Sequence, residues 1–128
     1  MIAVSQFTLH VIDVHRVWAW VAIAANGVAG VIGLVIWRRW EWRGRWYWWV
    51  TAAAQVAMLI QVLLGVIAVS DKSIVAPRFH MFYGFVAFVT IGLVYSYRSQ
   101  MRGREELLYG LAGLFIMGLG LRAWLQVR

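Results

Sequence analysis

The sequence predicts an all-α integral membrane protein: a four-helix up-down bundle with both termini outside. Hydrophobic residues fill 63% of the chain and charged residues only 13%. Soluble domains average about 45–50% and about 25%, so the surplus apolar surface needs lipid. Four apolar stretches each reach the length of about 20 residues that a helix needs to cross the hydrocarbon layer. The net charge of +7 comes from arginines gathered between those stretches, with no single basic face. They fit loop charge at a membrane surface, and no nucleic-acid partner is expected. The chain length of 128 residues suits a single domain, residues 1–128.

The first span is expected over about Val14 to Trp37, ending at the loop RRWEWRGR (38–45). The second covers about Tyr47 to Ser70 and leads into DKSIVAPR (71–78). Pro77 stands just before the third span, about Phe79 to Tyr97, where a missing N–H costs little. The loop RSQMRGREE (98–106) precedes the fourth span, about Leu107 to Leu125. Loops this short make consecutive helices antiparallel neighbours.

Orientation follows from the loop charges. RRWEWRGR holds four arginines and RSQMRGREE three, whereas DKSIVAPR holds only Lys72 and Arg78. Positive charge favours the cytoplasmic side, which places both arginine-rich loops inside and both termini outside a bacterial plasma membrane. Six of the nine tryptophans lie between Trp37 and Trp49, and Trp18, Trp20 and Trp124 lie near the other surface. Indole favours the headgroup region, so these are expected to form two aromatic belts.

Several classes drop out. With no cysteine there is no disulfide, thiol redox couple or cysteine-bound metal. The N-terminus lacks a basic region and a small-residue cleavage site, so no cleaved signal peptide is expected. No Asp or Glu falls within a predicted span core, which disfavours a small proton-coupled transporter.

The polar residues left in the spans are Asn26, Gln55, Gln61, Thr90, Arg122 and the histidines. Steps of three and four residues align His15, Ala19, Ala22, Asn26, Ala29 and Gly33 on one face of the first span. They align Ala54, Met58, Gln61, Gly65 and Ala68 on the second, and His80, Gly84, Ala87 and Ile91 on the third. Gly110, Gly113, Met117 and Gly120 form a stripe on the fourth. Such seams have two readings: close helix packing, or room for a flat cofactor in the bundle core.

Spans one and three run in the same direction and are diagonal partners. His15 and His80 each open their span, which puts them at similar depth on opposite sides of one core. Two facing imidazoles suit bis-histidine ligation of haem b. Ala19 and Gly84, one turn below, leave room for a porphyrin, and Arg16, Arg78 and Arg122 suit its propionates. A histidine at a span end also serves as an interfacial anchor, which is the competing reading. His10 stands about 140° from His15 around the helix, at about 3.6 residues per turn, so it lines an access path at most. A zinc or copper site from His10, Asp13, His15 and His80 is a further alternative, with no standard ligand spacing.

The stretch QVLLGVIAV (61–69), followed by a short outer loop and RFHMFYG (78–84), resembles the haem A synthase family. There, a span of this type leads through an outer loop to a ligating histidine that opens the next helix. The resemblance covers roughly residues 55–95. It implies one four-helix bundle of a fold that carries two, with His80 at a ligand position. The carboxylate-bearing outer loop of that family has no counterpart here, so haem A synthesis is not implied. The whole chain is also similar to small four-span membrane proteins of high-GC actinobacteria, which implies no activity.

The expected function is therefore that of a small b-type haem membrane protein in electron transfer, with quinone as a second candidate ligand near Gln61, Tyr83 and Arg122. The alternative is a cofactor-free accessory or assembly subunit. It would work in the lipid bilayer within a larger membrane complex or a homo-oligomer. No catalytic constellation is evident.

Overall fold

The computed structural model describes residues 4–127. Four helices form the bundle: α1 (Gln6–Arg38), α2 (Arg45–Val69), α3 (Arg78–Tyr97) and α4 (Glu105–Leu125). All four are long and apolar enough to cross a membrane. Short 3₁₀ turns at Trp40–Trp42 and Arg98–Met101 form part of the connections α1–α2 and α3–α4.

α1 begins well before the expected span. Ser5 caps it, its hydroxyl accepting from Thr8 N at 3.1 Å, and the hydroxyls of Ser5 and Thr8 lie 2.7 Å apart. Its 33 residues make a rod of about 50 Å at about 1.5 Å per residue, longer than the hydrocarbon layer. His15 therefore lies in the third turn of its helix, while His80 lies in the first turn of α3. Pro77 sits at the N-cap of α3 with extended backbone, as its missing N–H and the restricted φ of proline favour. Gly103, at φ +81°, makes the left-handed step into α4 that a side chain would resist.

α1 packs along both α2 and α4, and α3 packs chiefly on α4 while touching α2 over a short length. This leaves α1 and α3 as diagonal partners. The predicted seams all turn inward. Ala22, Asn26, Ala29 and Gly33 are buried on α1, Ala54, Met58 and Ala68 on α2, Ala87 and Ile91 on α3, and Gly110 and Gly113 on α4. Large apolar side chains such as Val28, Phe85, Phe88, Leu111 and Phe115 point outward. Small residues inside and large ones outside is the membrane pattern, because lipid tails solvate Phe and Leu while close backbones gain van der Waals contact.

On α1 and α4 the seam is closed by packing. A Cβ on Gly30 would lie 2.7 Å from Leu114 N and 2.8 Å from Gly110 O, and one on Gly113 would lie 2.7 Å from Asn26 O. The backbones touch there, so of the two readings of the glycine stripe on α4, close helix packing is the one that holds at Gly110 and Gly113. Gly84 differs, with no atom within 4 Å of the position a Cβ would take.

Candidate functional site

α1 donates three side-chain hydrogen bonds to backbone carbonyls of α2, two of them from its seam. His15 Nδ1 meets Gln61 O at 3.0 Å, Trp18 Nε1 meets Ala57 O at 2.8 Å, and Asn26 Nδ2 meets Ala54 O at 2.9 Å. These bonds hold the register between two smooth helices that have few other directional contacts. On the diagonal helix, His80 Nδ1 meets Ala123 O of α4 at 2.8 Å.

A carbonyl oxygen only accepts, so Nδ1 must carry the hydrogen in both rings. In the neutral imidazole this leaves Nε2 as the bare, basic nitrogen. A backbone carbonyl on Nδ1 is also the usual support that orients a metal-binding histidine. The two rings come together between the diagonal helices, with centroids 6.0 Å apart and planes at 84°. Both are half-buried.

The surroundings are a floor of aromatic and small residues. Trp18 and Tyr83, one turn below His15 and His80, pack on the cluster of Ala22, Ala57, Met58, Ala87, Ile91, Ile116 and Leu119. Gly65 of α2 faces the His15 ring, and a Cβ there would lie 3.1 Å from His15 Cε1. Gln61 Oε1, on the residue whose carbonyl holds His15, is buried without a hydrogen-bond partner.

The other predicted site residues divide. Ala19 is half-buried one turn below His15. Arg122 belongs to the last turn of α4, and its guanidinium lies 5.8 Å from the Tyr83 ring. Arg16 and Arg78 are exposed near the histidine end of the bundle. His10 is also exposed, in the second turn of α1. Among the described residues, no three His, Cys, Asp or Glu side chains come close enough to share a metal ion. The zinc or copper set of His10, Asp13, His15 and His80 is therefore not assembled; His10 and His15 face different directions, as their spacing requires.

One group escaped the sequence reading. α4 starts at Glu105, two residues before the expected span, and this brings Glu106 inside the bundle at 2% exposure. Arg43 Nε donates to Glu106 Oε2 at 2.8 Å, and the Arg43 guanidinium also lies 3.7 Å from the centre of the Trp40 ring. Glu106 Oε1 has no hydrogen-bond partner. The expected loop 98–106 is thus corrected at its end: Glu105 and Glu106 belong to the first turn of α4, and Glu106 is buried at the end opposite the histidines. The available signal was the pair Glu105–Glu106 ahead of an apolar run, since acidic residues favour the first turn of a helix.

Comparison of the chain with protein-family models, curated proteins and solved structures returned no match.

Proposed function

We propose that this chain is a small b-type haem protein of the bacterial plasma membrane, with both termini outside, which carries electrons or serves as a redox accessory subunit. The His15–His80 pair carries the reading. Two metal–nitrogen bonds of about 2 Å laid end to end, with the half-widths of two imidazoles, span about 6 Å, and the observed centroid separation is 6.0 Å. Both rings keep Nε2 bare because Nδ1 is committed to a carbonyl. Haem held by this pair would supply a one-electron couple tuned by its axial ligands and its burial.

The chain's own residues have distinct parts in this reading. Gln61 and Ala123 orient the two imidazoles through their carbonyls. Gly65 keeps a side chain away from the His15 ring. Arg16, Arg78 and Arg122 offer guanidinium groups to propionates. Seating a porphyrin requires α2 and α3 to part, and these are the neighbours that share the least surface. Gln61 Oε1 is buried without a hydrogen-bond partner, and it would accept from the hydroxyl of a quinol only once that opening exposes it.

A second reading has one observation in its favour. The His15 bond to α2 belongs to the same series as those of Trp18 and Asn26, which need no cofactor. In a cofactor-free accessory subunit, both histidines would serve only to tie helices together.

A reduced-minus-oxidised absorption spectrum of the detergent-purified protein, made with haem available, separates the two. The haem reading expects a sharp b-type α band that is lost in His15→Ala and in His80→Ala. A colourless preparation would overturn it, and a band that survives loss of His15 would overturn the diagonal pairing.

A further inference from the structure

Two shallow grooves run along the outer wall of α1, one near each end. The first, about 620 Å³, is walled by Val31, Leu34 and Val35 and closed at the helix end by Arg38 and Arg39. The second, about 320 Å³, is lined by Val14, Val17 and Trp18, with Asp13 at its head. Both have apolar walls along a helix apolar enough to cross a membrane. They differ in the charge at the level where a lipid headgroup would lie.

We propose that the first groove is a binding site for an anionic phospholipid, with an acyl chain along Val31, Leu34 and Val35 and the phosphate between Arg38 and Arg39. Guanidinium groups bind phosphate through paired N–H donors. Arg38 is the last residue of α1 and Arg39 its C-cap, so both sit where the apolar wall ends. Both are exposed. Arg39 is held only loosely within the chain, its Nη1 lying 3.8 Å from Glu41 Oε1, with both side chains more than 60% exposed. A phosphate arriving at the groove would therefore compete with Glu41 for Arg39, and between Arg38 and Arg39 it would meet two guanidinium groups where Glu41 meets one. Its guanidinium also lies 5.8 Å from the Trp42 ring, an indole suited to the headgroup layer. The second groove has Asp13 at its head and no arginine in its lining, so it lacks the paired guanidinium groups that the first offers to a phosphate. The site does not depend on the histidine pair.

The test is native mass spectrometry of the detergent-purified protein, titrated with phosphatidylglycerol or with phosphatidylcholine of identical acyl chains. Two arginines near a membrane surface are each expected to contribute attraction to anionic lipid, so phosphatidylglycerol should bind about tenfold tighter or more. Arg38→Gln with Arg39→Gln should remove that preference while helical circular dichroism is retained. Glu41→Gln should increase it, and this arm still reads if the double variant fails to fold. Arg102→Gln with Arg104→Gln, on the other connection at the same end, should leave it unchanged. Equal affinity for the two lipids would overturn the proposal. So would a preference that survives the loss of Arg38 and Arg39, or one that falls equally without Arg102 and Arg104, which would mark diffuse surface charge.

Discussion

His15 and His80 stand with ring centroids 6.0 Å apart and planes at 84°, each fixed through Nδ1 to the backbone of a neighbouring helix. Because carbonyls on two different helices set the ring planes, the angle between them is a property of the bundle. If the pair ligates haem, the ferric low-spin centre should show the strongly anisotropic electron paramagnetic resonance signal of near-perpendicular imidazoles. A rhombic signal of the kind given by parallel rings would mean that the ligands rotate on binding or are other residues.

The glycines separate by what stands opposite them. Gly30→Ala and Gly113→Ala place a methyl group 2.7 Å from backbone atoms of the facing helix. Overpacking of this kind is expected to cost about 1–3 kcal/mol. Gly84→Ala and Gly118→Ala meet nothing within 4 Å, so they should be neutral or stabilising by up to about 1 kcal/mol through helix propensity. Thermal or dodecyl-sulfate unfolding followed by circular dichroism would rank the four variants, and a Gly30→Ala protein as stable as Gly84→Ala would contradict the close contact.

The ion pair of Arg43 with Glu106 predicts an asymmetry. Glu106 is 2% exposed at the side chain and Arg43 is 37% exposed. Arg43→Gln leaves a buried carboxylate without its cation, and breaking a fully buried pair costs about 3–5 kcal/mol. The partial exposure of Arg43 scales this down to about 1–3 kcal/mol. Glu106→Gln removes the buried charge together with the pair and should cost less. The same unfolding measurement decides it, and equal losses would show that the pair is not buried as described.

The loop between α2 and α3 should loosen in acid. Hydrogen bonds from the Ser73 hydroxyl, at 2.5 Å, and the Ser73 amide, at 3.0 Å, hold the Asp71 carboxyl down to about 2 from its ordinary 3.8, with a further contribution from Thr8. A depressed folded-state value means that these bonds stabilise the loop above the ordinary value and are lost as pH falls through about 2. Protease cutting within residues 70–77 should therefore rise between about pH 4 and pH 2 in the natural protein. In Asp71→Asn it should be raised at neutral pH and flat through that window.

Much of the bundle was legible residue by residue. The four spans, their order and the inward turn of Ala22, Asn26, Ala54, Met58, Ala87 and Gly113 follow from hydropathy and three- and four-residue spacing. α1 outran its expected span because hydropathy marks where lipid ends, whereas Ser5 and its bonds to Thr8 mark where the helix begins. Glu106 was placed in a loop for the same reason: its charge spoke for water, and its partner Arg43 lies 63 positions away in the chain.

The sequence by itself determined the four helices long and apolar enough to cross a membrane, the helix faces and the pair of histidines worth weighing, since these depend on the chemistry of single residues and on helical period. Only the tertiary structure decided that the glycine stripe of α4 closes on α1, that Glu106 is buried, and that the two imidazoles meet with Nδ1 committed and Nε2 bare. Those outcomes depend on how far each helix is rotated and slid against its neighbours. That rotation is set by packing summed over all four helices, and no short stretch of sequence contains it.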